Sequence, residues 1–87
     1  MANSKYLPKD HNQRFFRAIE EAGEFLQAAG KAGRWGMDNF NPDVPPDRRE
    51  TNAAWVKREM LDLRAALDAL EPDIDAEIER QQQEGAA

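Results

Sequence analysis

Apolar residues recur at intervals of three and four in two long stretches of the chain, which is the spacing of an α-helix. In the first stretch, Asp10 or Asn12 is a suitable N-cap, and the pattern runs to about Ala32. Glycines then crowd the end of the pattern, and Gly33 is the preferred left-handed cap. The apolar stripe of this first helix consists of Phe15, Ile19, Ala22, Leu26 and Ala29.

The second stretch is expected to begin at Thr51 or Asn52 and to end at Glu71, because Pro72 disfavours a helical conformation at the residue before it. The apolar stripe of this second helix consists of Val56, Met60, Leu63, Leu67 and Leu70. A weaker pattern after Pro72 predicts a short third helix to about Gln83, followed by a frayed tail.

Residues 34–51 separate the two long helices and contain three prolines together with several Asp and Asn, so they are predicted to form a loop. Loops of this length in a compact domain are usually functional or disordered. No alternation typical of a strand is present. The pattern therefore predicts one all-α domain over 1–87, with a core of two antiparallel helices at about 10–71 and a short helix and frayed tail at 72–87.

The length of the chain limits how much core it can bury. A domain of 87 residues without cysteine is marginally stable alone, so a core shared with a second copy is expected, and the molecule should be at least a dimer within a helical bundle. The sequence has no run of apolar residues long enough for a signal peptide or a membrane span. A cytoplasmic location without membrane contact is the expectation.

The net charge of −5 argues against a nucleic-acid polymer as the partner, because such a surface needs clustered Lys and Arg. It does not exclude a nucleotide. An acidic pocket binds a polyphosphate when metal ions lie between the two sets of negative charge.

Two acidic motifs carry the strongest indication of chemistry. Glu20, Glu21 and Glu24 lie in the first helix, and Glu59 and Asp62 lie in the second. Residues three apart on a helix share one face, so Glu21 with Glu24 and Glu59 with Asp62 would form two pairs of carboxylate ligands. Four hard oxygen ligands favour Mg²⁺ or Mn²⁺ over zinc.

Each motif also has an ordinary explanation. The first one is compatible with a solvated helix face, in which Arg17 and Glu21 form a surface pair. In the second motif, Glu59 projects between Val56 and Leu63 on the apolar stripe, where an idle carboxylate is costly. It needs a proton, a metal ion or a buried ion pair with an arginine. The arginine is the alternative to the metal.

The spacing Glu20-Glu21-x-x-Glu24 followed by Glu59-x-x-Asp62 resembles the EExxE…ExxD signature of the all-α, MazG-like nucleoside triphosphate pyrophosphohydrolases. The stretch KAGRWG at 31–36 is similar to that of short, phage-type members, and so is LRAALDAL at the end of the second helix. The resemblance covers roughly 12–71. The 34 residues between the two motifs exceed the family's usual gap, and the proline-rich loop accounts for the excess.

The resemblance implies hydrolysis of a nucleoside triphosphate between the α and β phosphates by an Mg²⁺-dependent homodimer or homotetramer, with Mn²⁺ as a substitute. Carried onto this chain, it makes Glu21, Glu24, Glu59 and Asp62 metal ligands. Glu20 would bind a further metal ion or orient the attacking water, and so act with Glu21 in catalysis. The family also acts on deoxynucleotides, and analogy alone favours dGTP over dUTP or dCTP.

Lys31 and Arg34, at the end of the first helix, are candidates for phosphate contacts, although cations there also pair with the helix dipole. Lys57 and Arg58 are secondary candidates on the second helix. Base recognition needs an apolar slot with a few polar groups. The candidate base-binding residues, each of which also suits a core or a dimer interface, are Asn12, Phe16, Trp35 and Asn39, with Asn41 as an alternative edge reader.

A non-catalytic interaction module is the competing hypothesis. The same helices would form a small bundle that binds a protein, with the acids solvated or paired to some of the 12 Lys and Arg residues. The position of Glu59 separates the two hypotheses, because a bundle without a site would favour Leu or Ala there.

Overall fold

The protein is described by a computed structural model that covers residues 10–86. Helix α1 spans His11–Trp35 and helix α2 spans Asn52–Ala86, and a 3₁₀ turn at Pro46–Arg48 lies in the loop between them. The helices pack against each other in antiparallel directions. No strand occurs within this range, so the prediction of an all-α fold with two long helices is confirmed. Residues 1–9 and Ala87 of the predicted domain lie outside the described range.

The two ends of α1 are fixed by local hydrogen bonds. Asp10 is the N-cap, as predicted, and its carboxylate accepts a hydrogen bond from the Gln13 amide at 2.9 Å. The prediction that Gly33 ends the helix is wrong, because the left-handed residue is Gly36, with φ of 98°. The helix continues to Trp35 because its last carbonyls are capped there: the Gly36 amide donates to Ala32 at 2.9 Å.

Helix α2 begins as predicted, since the hydroxyl of Thr51 accepts a hydrogen bond from the Ala54 amide at 3.2 Å. The predicted end at Glu71 and the separate third helix are wrong, because α2 runs through Pro72. Tertiary contacts on both sides of the proline explain this. Leu70 is buried against α1, and Asp73 forms an ion pair with Arg14.

The C-terminal part of α2 is helical to Ala86, so the predicted frayed tail is also corrected. Ion pairs at i, i+3 and i, i+4 support it. Arg80 contacts Glu77 and Glu84, each at 2.5 Å. The hydrogen bonds from Arg80 lower the pKa of Glu77 to about 2.

The helices meet along a seam of buried residues, which are Ala18, Glu21 and Ala28 on α1 and Glu59, Ala66 and Leu70 on α2. On α1 this seam lies one residue before the predicted stripe, a rotation of about 100°. Ile19 and Leu26 of that stripe are therefore 66% and 67% exposed. The buried apolar residues of the seam are therefore mostly alanines, with Leu70 as the large side chain among them.

Helical spacing places six exposed large apolar side chains on one side of the hairpin, which we call the apolar face: Phe15, Ile19, Leu26, Leu67, Ile74 and Ile78. The two helices share this face: Phe15 of α1 and Ile74 and Ile78 of α2 line one cleft of about 730 Å³. The hairpin is 61 × 27 × 13 Å, so it is a single layer of helices. Nothing in the described chain covers this face.

Candidate metal centre

Three carboxylates converge between the helices. Glu21 comes from α1, and Glu59 and Asp62 come from α2, with one oxygen of each within 4.8 Å of the others. Glu21 and Glu59 are each only 2% exposed, and Asp62 is half-buried. The structure therefore brings together one member of the first acidic motif and both members of the second.

Helical spacing places these residues at the seam. Glu21 follows the buried Ala18 by three positions, and Glu59 precedes the buried Ala66 by seven. The interpretation of the first motif as a solvated face is correct only for Glu20, which is exposed. It is wrong for Glu21, because the seam is rotated away from the predicted stripe.

The other residues of the first motif surround the converging group. Glu24 is half-buried, and its negative charge raises the pKa of both Glu21 and Glu59, which places it beside them. Its oxygens do not belong to the set within 4.8 Å. Glu20 is exposed and does not join the group.

Burial makes the group electrostatically unfavourable. Loss of hydration, followed by the nearby charge of Glu24, raises the pKa of Glu21 to about 7. Loss of hydration also raises the pKa of Glu59, against the opposing effect of the Arg58 charge. Ionising both glutamates within the seam is therefore costly, and a bound cation would lower that cost.

The donor set suits a hard divalent cation. All three converging groups are carboxylates, and Mg²⁺ and Mn²⁺ prefer such oxygen ligands. The Oε2 atom of Glu21 is buried and accepts no hydrogen bond from any residue in the described part of the chain. A buried acceptor in this state is costly, and coordination to a metal ion would satisfy it.

Arg58 forms the ion pair that was the alternative to a metal. Its Nη1 atom donates to Oε1 of Glu59 at 2.9 Å, and its Nη2 atom donates to Oε1 of Glu50 at 2.6 Å. The two explanations are compatible, because this one guanidinium contacts one oxygen of Glu59 while Glu21 and Asp62 still converge on that residue.

Asn52 joins the loop to the start of α2, and the sequence pattern identified it only as a possible first residue of that helix. The backbone amide of Asn52 donates to the Asn39 carbonyl at 2.7 Å, and its side-chain Nδ2 atom donates to the Gly36 carbonyl at 2.9 Å. The side chain is 1% exposed. Its position seven residues before Glu59, on the same helix face, is the signal that could have identified it.

The predicted phosphate-binding residues lie at the C-terminal end of α1. Lys31 is half-buried, two turns after Glu24 and on the same helix face. Arg34 is exposed, with its guanidinium carbon 6.0 Å from the centre of the Trp35 ring. Both basic residues line a groove of about 320 Å³ beside Leu26. Neither has a hydrogen bond to the converging carboxylates.

The predicted base-binding residues do not form one slot within a single chain. Asn12 and Trp35 are 23 residues apart on the same helix, which corresponds to about 34 Å. Phe16 is exposed near the Asn12 end. Asn39 lies near the other end, where its side chain donates to the Trp35 carbonyl at 3.2 Å and therefore shapes the turn.

Comparison of the chain with models of known protein families, with curated proteins and with solved structures finds no match. Across residues 10–86, the two helices are too polar to include a membrane-spanning segment.

Proposed function

We propose that this chain is an Mg²⁺-dependent hydrolase that converts a nucleoside triphosphate to the monophosphate and pyrophosphate. The observation that carries the proposal is the convergence of Glu21, Glu59 and Asp62 to within 4.8 Å, with two of them 2% exposed. These carboxylates belong to the two motifs on which the resemblance to the MazG-like family rests. Mn²⁺ would substitute for Mg²⁺, because it has the same ligand preference.

In this proposal Glu21, Glu59 and Asp62 hold the metal, and Glu24 adds negative charge beside them. A divalent cation held there would supply positive charge to the phosphate oxygens and make an attacking water more acidic. The protein residues contribute position and electrostatics: the seam keeps Glu21 and Glu59 in fixed places and excludes bulk water from them. Lys31, on the Glu24 side of α1, offers a positive charge for the remote phosphates.

The test is pyrophosphate release from each of the eight standard ribo- and deoxynucleoside triphosphates, with and without Mg²⁺. We expect release of pyrophosphate, rather than of orthophosphate, that requires the metal and is strongest with a deoxynucleotide such as dGTP, dUTP or dCTP. Absence of release from all eight substrates, together with no effect of Mg²⁺ or Mn²⁺ on thermal stability, would overturn the proposal in favour of the interaction module.

The apolar face supports a second proposal, that the protein assembles as a homodimer or homotetramer. The buried apolar residues within the described hairpin are three alanines and Leu70, which is a small core for a domain of this size. The apolar face lies on the side of the hairpin opposite Glu24, as the helical spacing requires. Its burial against a second hairpin would complete a bundle and leave the Glu24 side of the hairpin uncovered.

Light scattering at micromolar concentration is expected to give at least twice the 9.9 kDa mass of the chain. Replacement of Leu26 by Glu should shift the protein towards the monomer, because it places a charge in the proposed interface. Leu61→Glu is the matched control, since Leu61 is also exposed but does not belong to the apolar face. A wild-type monomer, or equal effects of the two substitutions, would contradict this assembly.

A further inference from the structure

Arg58 occupies an unusual position between the candidate metal centre and the loop. One side of its guanidinium group donates to Glu59, a buried member of the converging carboxylates, and the other side donates to Glu50, the penultimate residue of the loop. The side chains of Arg58 and Glu50 are 37% and 39% exposed, whereas that of Glu59 is 2% exposed. One half of this bridge is therefore buried and the other half faces solvent.

The two halves differ in how easily they break. A half-exposed pair such as Arg58 with Glu50 contributes little to stability, because water replaces it at low cost. The loop does not depend on that pair, since its ends are held by separate backbone hydrogen bonds, including Ala53 to Met37 at 3.0 Å and Asn52 to Asn39 at 2.7 Å. Release of Glu50 would leave these anchors in place.

We propose that Arg58 is a phosphate clamp that exchanges Glu50 for a phosphate oxygen of a metal-bound polyphosphate while it keeps its hydrogen bond to Glu59. This inference rests on the proposed function, because it assigns a ligand to the same site. A guanidinium presents parallel donors that match a carboxylate or a phosphate. The Glu50 carboxylate lies on the more exposed side of the guanidinium, and the phosphate would take its place there.

The position of Arg58 favours it over the basic residues at the end of α1. It lies one hydrogen bond from a carboxylate of the converging set, whereas Lys31 is two helical turns beyond Glu24 and Arg34 lies against Trp35. Any phosphate that shares a metal ion with Glu59 would therefore meet the guanidinium of Arg58. Exchange also keeps an acceptor on both sides of the guanidinium, before and after the phosphate binds.

The experiment is calorimetric titration of inorganic triphosphate into the full chain in the presence of saturating Mn²⁺. Arg58→Gln is expected to weaken binding by about 10- to 100-fold, the effect of losing a charge-assisted hydrogen bond. Glu50→Gln is expected to tighten binding by roughly two- to fivefold, because it removes the competing carboxylate. Arg64→Gln, which removes a charge from an exposed part of α2, controls for net charge and should change binding less than about twofold.

The double variant Glu50→Gln/Arg58→Gln separates exchange from simple repulsion by Glu50. If Arg58 mediates the effect, Glu50→Gln should lose its tightening in the Arg58→Gln background. Titration of Mn²⁺ alone shows that each variant retains the metal site, and its melting curve shows that it folds. Unchanged triphosphate affinity in Arg58→Gln, weaker binding in Glu50→Gln, or additive effects in the double variant would each overturn the clamp.

Failure of the Arg58 clamp and failure of the proposed hydrolase function would give different results. A protein that binds manganese triphosphate through Arg58 but releases no pyrophosphate from any nucleotide would retain the clamp and lose the assigned reaction. A protein that hydrolyses nucleotides with the same KM in wild type and Arg58→Gln would retain the reaction and lose the clamp. A wild-type chain that does not bind triphosphate with Mn²⁺ contradicts the clamp directly.

Discussion

Glu59→Gln is expected to lower Mg²⁺-dependent pyrophosphate release by at least about 10³-fold, because loss of a metal ligand removes several kcal/mol of transition-state stabilisation. Glu21→Gln should have an effect of the same size. Both side chains are 2% exposed at the seam between the helices. Glutamine has nearly the same shape as glutamate but offers a neutral, weaker ligand.

Thermal melting of Glu59→Gln should show that the loss of activity is not caused by a loss of folding. Because burial raises the pKa of Glu59, its ionised form is costly in the fold, and the neutral variant should melt in EDTA at the same temperature as wild type or higher. The increase in melting temperature that Mg²⁺ gives to wild type should disappear. Glu71→Gln, at an exposed position of α2, is the matched control and should retain both activity and the Mg²⁺ response.

An active Glu59→Gln variant would identify the contact with Arg58 as the main role of this carboxylate. In that case the ion pair, rather than a metal ion, would explain why an acid occupies the seam. A large loss of melting temperature in EDTA would point the same way, because removal of one partner from a buried ion pair is strongly destabilising.

The sequence predicted the position of Glu59 correctly because α2 carries large apolar residues on both sides of it. Val56 and Leu63 define the stripe, and a carboxylate between them is visible as an exception. The caps at Asp10 and Thr51 were also predictable, since a short polar side chain before an apolar pattern has a direct structural role there.

The orientation of α1 was not predictable from the same kind of pattern. Hydrophobic periodicity identifies the most apolar face of a helix, but it does not say whether that face contacts the same chain or another one. In α1 that face contains Ile19 and Leu26, which are exposed, and the seam uses Ala18 and Ala28 instead. Alanine gives a weak hydrophobic signal, and its value here is that it permits close approach of the helices. For this reason the burial of Glu21 was missed.

At Pro72, tertiary contacts overcome the local preference for a helix to end before a proline. The restriction on the residue before a proline predicted a helix end, yet α2 continues for fourteen residues after it. The ion pair between Asp73 and Arg14, which lowers the pKa of Asp73, joins α1 to the first turn beyond the proline. That contact spans 59 positions of sequence and has no signature in either helix alone.

The stability of the metal-free protein is expected to fall as the pH rises from about 5 to 7.5. Glu21 has a pKa of about 7 in the folded chain, against an ordinary value of 4.5, so the folded state binds a proton that the unfolded state has lost. This contribution is fully present below pH 4.5 and is lost as the pH passes through 7. It amounts to roughly 3 kcal/mol of unfolding free energy. Glu59, whose pKa is also raised, acts in the same direction.

Thermal melting in EDTA across this range measures the effect. The window avoids the lowered pKa of Asp73 and Glu77, which matter only in stronger acid. Glu21→Gln should flatten the pH profile because it removes the titrating group, whereas Glu71→Gln should leave the slope unchanged. Mg²⁺ should reverse the trend, since it binds the deprotonated carboxylates and stabilises the folded state most where Glu21 is ionised. A melting temperature that rises with pH in EDTA, or a Glu21→Gln variant that keeps the wild-type slope, would show that the seam does not hold Glu21 protonated, and the electrostatic argument for a cation at this site would fail.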